Sequence, residues 1–343
     1  MTLGVVSPDQ ALQTFKIDGA TQWGKGRNSH QPGTNPMNAS ARLHQQSIRF
    51  FVDGTPEQIL PGSTIFAVGS CFAREIERHL ARQGFKIASF VPGETDDGKS
   101  EVSITNRYNT ASMLLEMRRL LEEPDILADD ALLIEQRPGS YADAHYHDAT
   151  VGDKETVLGR RKRFYEHFQS IRDADVLFFT LGLNEAGYDT RNGLYRNMSP
   201  TVRELRLALP LEVHSFTVAE NVAALHEIYR LVRTHCTKNP KVFITVSPVP
   251  LTLTYQRKDV ILANMEGKSI LRAAAAEFCA QVSDVIYFPS FEMAMSCDPH
   301  HVFRGDKRHI NSDFVSSIVG EFVRRHCMAL ADSQPVAEAA ETA

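Results

Sequence analysis

The 343-residue chain has no uninterrupted apolar run of the eighteen or so residues that a membrane span requires. Residues 1–20 also lack the charged start and apolar middle of a signal peptide, so the expected compartment is the cytoplasm. Positive charge is in short supply: 37 lysines and arginines against 42 aspartates and glutamates leave a net charge of -5 and a pI near 6.2. Phosphate binding needs concentrated Lys and Arg, so nucleic acid is not expected as the main partner. The densest basic run, "GRRKR" at 159–163, reads as a solvated helix face. Cysteine is sparse too. The five residues Cys71, Cys236, Cys279, Cys297 and Cys327 include no Cys-x-x-Cys pair, which argues against a disulfide framework or a zinc ribbon and for free thiols.

What is present is the composition of an ordinary globular protein, 43% apolar and 23% charged, long enough to bury a substantial core. Residues 1–60 read as an N-terminal arm, with 21–47 rich in Gly, Asn, Pro, Ser and Gln and expected to be extended or poorly ordered. From 331 a small, polar, acidic segment lacks the side chains to offset its ordering entropy and reads as a loose tail. Between them, apolar runs at 64–69, 85–90, 176–181, 241–246 and 285–288 have the character of buried parallel strands. Helical periodicity marks 72–83, 110–122, 162–172, 217–235, 268–283 and 312–329. This alternation makes the class α/β: a three-layer α/β/α sandwich with a flavodoxin-like parallel sheet of about five strands in the order 2-1-3-4-5. Long connections at 91–174 and 186–216, both within a single domain at 61–330, are expected to cap the strand ends.

Ligands of such sheets bind beyond the carboxyl ends of the strands. There the sequence places Gly69-Ser70-Cys71 after the first strand, "LGLNEAG" with Gly182 and Asn184 after the third, and "FRGDKRHIN" with Asp306 and His309 after the fifth. A strand-to-helix turn needs a dihedral-tolerant residue, and a helix start offers free N–H groups that lower a thiol's pKa and hold an oxyanion. On this segment alone the plainer reading is favoured, with Ser70 an ordinary N-cap and Cys71 first-turn packing. His309 and Asp306 have plain readings as well, since Asp-x-x-His is a weak spacing. "HYHD" at 145–148 can seed a metal site, but in a polar insertion its histidines read as exposed and no third ligand is evident. "GKS" at 267–269 lacks the upstream glycine of a phosphate loop, so Lys268 and Arg272 read as helix-surface charges, with substrate contact a remote alternative.

Further motifs change the balance. "GSCFA" at 69–73, "YNT" at 108–110, "TLGLNE" at 180–185, "TVSPVPL" at 245–251, "GKSILR" at 267–272, "YFPSFE" at 287–292 and the Asp306/His309 pair together resemble the bacterial GSCFA family over most of the chain. That family is similar in turn to the SGNH (GDSL-type) hydrolases, which include esterases, thioesterases, carbohydrate deacetylases and O-acetyltransferases. The resemblance implies a flavodoxin-like core and no cofactor or metal.

Carried over by residue, it makes Gly69 to Cys71 the nucleophile block, Gly182 to Asn184 the oxyanion block, and Asp306 with His309 the base block. Ungapped register sets Cys71 at the nucleophile position and Ser70 where the hydrolases carry Asp; a one-residue slip would exchange them. The implied chemistry is acyl transfer through an acyl-enzyme on a small, carbohydrate-borne acyl ester such as an acetyl ester, with Asn184 and Asn109 as oxyanion donors. The sequence departs from the hydrolase pattern at Glu185 and at Ser70, and the donor-glycine block is not identifiable. The alternative is a non-catalytic glycan-binding or scaffold protein that keeps the fold. Oligomeric state is not legible.

Overall fold

A computed structural model describes residues 5–14, 23, 35–50, 59–90, 105–127, 130–146, 151–197, 199–206 and 210–328. The expected tail from 331 lies outside these residues, as do 91–104 of the first insertion and His147 and Asp148 of "HYHD". Strands are found at β1 (Thr64–Gly69), β2 (Lys86–Ile87), β3 (Leu133–Arg137), β4 (Ser140–Asp143), β5 (Val176–Leu181), β6 (Glu185–Asp189), β7 (Leu194–Tyr195), β8 (Leu211–Ser215), β9 (Lys241–Val246) and β10 (Val285–Tyr287). Five of them form one parallel sheet in the order β10-β9-β5-β1-β2, which is 2-1-3-4-5 when counted along the chain. The expected α/β/α architecture is thus observed.

The layers follow from side-chain alternation on the strands. Phe66 and Val68 of β1, Leu177, Phe179 and Leu181 of β5, and Val242, Ile244 and Val246 of β9 join one core, under the helices Thr110–Leu121, Val218–His235 and Val260–Gln281. Ile65 and Ala67, Val176 and Phe178, and Phe243 point to the other face, under the helices Cys71–Arg82 and Ser312–His326. There Phe178, Phe243, Phe288 and Phe322 meet largely edge to face, with Phe178 stacked on Phe243.

Several boundaries differ from expectation, each for a local reason. The second strand leaves the ladder after Ile87 because the Ser89 hydroxyl accepts from the Ala67 amide at 3.1 Å and donates to buried Glu77. Two helices begin earlier than their apolar patterns: Asp153 caps Lys154–Phe168 through Thr156 N at 2.7 Å, and Asp259 caps Val260–Gln281 through Ile261 N at 2.7 Å. In the former helix Arg161 of the basic run is buried rather than solvated, bonded to Asp143 at 2.7 Å. Part of the expected arm is folded: Ala39–His44 is helical, and Arg42 donates to the carbonyls of Met37 and Arg49 at 2.9 Å each.

The insertions contribute to the core and add a second sheet. Met113, Met117, Leu120 and Leu121 of the first, with Phe164 and Phe168, complete a core face of the sheet. The second builds a small antiparallel sheet in which β6 lies between β7 and β8, starting one residue after Asn184. No helix among the described residues is long and apolar enough to cross a membrane.

Candidate active site

The ends of β1 and β5 are pressed together so tightly that glycine is required at both. A Cβ on Gly69 would lie 2.6 Å from Thr180 Cβ and 2.8 Å from its carbonyl oxygen; one on Gly182 would lie 2.8 Å from Tyr108 O and 3.2 Å from Ser70 Cβ. Backbone bonds tie the same corner: Arg107 N donates to Gly69 O at 2.7 Å, and Leu183 N to Tyr108 O at 2.6 Å. The nucleophile and oxyanion blocks of the sequence are therefore neighbours, with Tyr108 between them.

Within this corner the hydroxyl and the thiol part company. Ser70 is the residue before the helix Cys71–Arg82, but its side chain makes no capping bond; its Oγ is buried and donates to Ser247 Oγ at 3.3 Å. Cys71, the first helical residue, is partly exposed. Contrary to the expectation from its helix-start position, burial pushes the thiol up, outweighing the downward pull of Arg308, Lys268 and the Phe72 amide; Glu75 adds to the rise. Tyr108, also held by burial and by its proximity to Cys71, is pushed up to about 12.

Asp306 and His309 form a pair in the loop before the last helix. Asp306 Oδ2 lies 2.5 Å from His309 Nδ1, and its Oδ1 accepts the amides of Arg308 and His309 at 3.0 Å each. These bonds hold the carboxyl well below the usual carboxylate range. Arg308 Nη1 lies 3.1 Å from His309 Nε2. A guanidinium only donates, so Nε2 accepts, and the neutral ring carries its proton on Nδ1 toward Asp306. That is the tautomer a general base needs. Arg308 also donates from Nε to Pro250 O at 3.2 Å and acts electrostatically on Cys71, so it bridges the base loop and the thiol.

The two proposed oxyanion donors are largely committed elsewhere. Asn109 is a buried helix cap: its Oδ1 accepts Ser112 N at 2.8 Å, and its Nδ2 donates to Arg196 O at 3.2 Å. Asn184 sits in a buried amide relay, its Oδ1 accepting from Asn221 at 2.9 Å and its Nδ2 donating to Phe216 O at 2.7 Å. One amide hydrogen of Asn184 remains unbonded, and the residue lines a cleft together with Gly182 and Lys268. Glu185, the departure from the hydrolase pattern, accepts from Thr254 Oγ1 at 2.6 Å and Tyr255 N at 3.2 Å, and so pins the loop after β9.

Sequence reasoning missed one group. Lys268 is not a surface charge: it is 3% exposed and donates to Gly182 O at 2.6 Å. Burial, with Arg308 adding to it, pushes the amine down to about 7 despite the opposing pull of Cys71. Arg272, one turn on, is partly exposed and lies 4.1 Å from the Tyr287 ring centre, paired with Glu292 at 2.5 Å. His145 also differs from its reading. It is fully buried, bonded through Nε2 to Glu116, and burial and Arg107 push it down to about 4. Among the described residues no three His, Cys, Asp or Glu side chains are grouped to hold a metal ion.

The family model described as the GSCFA family matches residues 64–322, spanning every site residue above. No curated protein matches the chain.

Proposed function

Because the chain belongs to the GSCFA family, and that family is taken to be similar to the SGNH hydrolases, we propose that it is an ester hydrolase or O-acyltransferase that carries a small acyl group on Cys71. The observation that carries this reading is the division of labour at the corner: Ser70 is buried and bonded to Ser247, whereas Cys71 is accessible at a helix start, within electrostatic reach of Arg308, the neighbour of the His309–Asp306 pair.

His309, once Arg308 releases Nε2, takes the thiol proton; the thiolate attacks the ester carbonyl carbon, and the tetrahedral intermediate collapses by breaking the C–O bond. The leaving alkoxide regains the proton from His309, and water or an acceptor hydroxyl then cleaves the thioester by the same route in reverse. Backbone N–H groups at the helix start and the free amide hydrogen of Asn184 face the developing oxyanion. Acyl esters of carbohydrates are the proposed substrates, on the strength of the resemblance alone.

The deciding experiment is intact-protein mass spectrometry after incubation with p-nitrophenyl acetate. An acetyl adduct on wild type and Ser70→Ala, absent from Cys71→Ala and His309→Ala, is the expected pattern. An adduct lost in Ser70→Ala but kept in Cys71→Ala would transfer the role to the serine. Identical behaviour of all four proteins would remove the acyl-enzyme and leave the second reading, a glycan-binding protein that retains the fold, which the upward push on the Cys71 thiol favours.

A further inference from the structure

Four of the buried arginines come with buried carboxylates. Arg74 meets Glu77 at 2.9 Å, Arg107 meets Glu116 at 3.2 Å, Arg161 meets Asp143 at 2.7 Å and Arg196 meets Glu204 at 3.0 Å. Among the described residues Arg119 has no such ion pair, donating instead to Tyr146 Oη at 2.7 Å and Arg161 O at 3.3 Å, and neither has Lys268. Lys268 is as deeply buried as these arginines, yet among the described residues it is bonded to a neutral carbonyl, Gly182 O, and to no carboxylate. An unpaired ammonium in such a place is costly, because Coulombic attraction to a partner is what offsets desolvation. The cost is understandable if the partner anion forms only during the reaction.

The position of Nζ says where that anion arises. Gly182 is packed against Ser70, leaving its Cβ position 3.2 Å from Ser70 Cβ, and Ser70 is followed directly by Cys71. The ammonium is thus fastened to the turn after β5, which packs against the turn that carries the thiol, on the wall of the cleft shared by Gly182 and Asn184. Building on the reading of Cys71 as acyl carrier, we propose that Lys268 is the positioning charge for that thiol: its ammonium, held by the Gly182 carbonyl, stabilises the Cys71 thiolate and then the tetrahedral oxyanion.

The other ionisable groups around the pair are consistent with this. Arg308, from the base loop with His309 and Asp306, adds positive charge; Glu75, one turn along the thiol's own helix, opposes it; Tyr108 stays neutral. Across the cleft, Lys258 is neutralised by Glu266 at 2.6 Å, and Glu185 is held by Thr254. Burial disfavours the charged form of both groups, and each opposes that for the other: the ammonium pulls the thiol down and the thiolate pulls the amine up.

The test reads the thiol itself, not turnover. The alkylation rate of Cys71 by iodoacetamide, followed on the Cys71 peptide by mass spectrometry between pH 6 and 9, is compared in wild type, Lys268→Gln and Lys268→Arg. Glutamine keeps an N–H donor for Gly182 O while removing the charge; arginine keeps a charge that does not titrate. The expected result is a roughly tenfold slower reaction near pH 7.5 in Lys268→Gln and recovery to within about threefold in Lys268→Arg, the size expected for one nearby charge on a thiol. A Lys268→Gln curve that overlays wild type would overturn the proposal. So would a Lys268→Arg curve displaced upward by about one pH unit, a comparison that decides even if Lys268→Gln does not fold. Since iodoacetamide needs no acyl chemistry, a coupled thiol without an acetyl adduct would sink the enzymatic reading and the oxyanion role with it, and leave the thiolate coupling standing.

Discussion

Two histidines in this protein sit beside carboxylates, and the pairs do opposite things. His145 and Glu116 lie inside the molecule with Arg107 against the carboxylate and the Arg107 guanidinium 4.5 Å from the Tyr146 ring centre. Burial holds His145 neutral there, and although burial alone would raise Glu116, Arg107 and His145 hold it far below the usual carboxylate range. His309 and Asp306 make the same type of contact at the surface, where solvent reaches both and Nε2 is turned outward to Arg308. Contact chemistry is therefore not what separates a structural histidine from a candidate base. The difference lies in burial: the second ring nitrogen of His309 lies at the surface beside Arg308, whereas that of His145 is sealed inside.

Breaking each pair in turn tests this contrast. The largest effect is expected from His309→Ala, which should slow acetyl transfer to Cys71 by about 10³-fold in single-turnover measurements, with its thermal unfolding midpoint unchanged. Glu116→Ala should do the reverse. It leaves a buried guanidinium without its carboxylate, at a cost of about 3–5 kcal/mol in urea unfolding, while the protein that remains folded acylates normally.

The two pairs should also separate in their response to pH. His145 binds a proton less readily folded than unfolded, so its contribution to stability is complete above the unfolded value near 6.5 and is lost as pH falls from there toward about 4. Urea midpoints measured across that window should decline, and less steeply in His145→Asn. The smallest change is expected at Asn109→Ala. Loss of a helix cap costs about 1 kcal/mol and should leave the acylation rate within twofold or so of wild type, whereas a large rate loss would restore Asn109 as an oxyanion donor.

The central strands β1, β5 and β9 were legible because they are buried on both faces and so read as unbroken apolar runs, whereas the short antiparallel strands of the insertions carry no such run. Legibility failed where the deciding partner is remote in sequence. Nothing around Lys268 distinguishes it from an exposed helical lysine, since its bond to Gly182 spans 86 residues. His145 looked exposed for the same reason, its carboxylate lying 29 residues away. Asp306 and His309, three residues apart, could be paired on sight. Choosing between Ser70 and Cys71 needed the Ser247 contact, 177 residues downstream. Helix starts were missed where a capping Asp precedes a first turn with no buried face, as at Asp259, where Ile261 and Leu262 are exposed.

The order of the strands also bears on how the protein is born. A ribosome delivers Cys71 well before His309, and the second core cannot close until the helix Ser312–His326 comes to lie on Cys71–Arg82. A nascent chain therefore carries the thiol long before the Asp306–His309 loop exists. The two are brought into one folded domain by the same docking step that finishes that core.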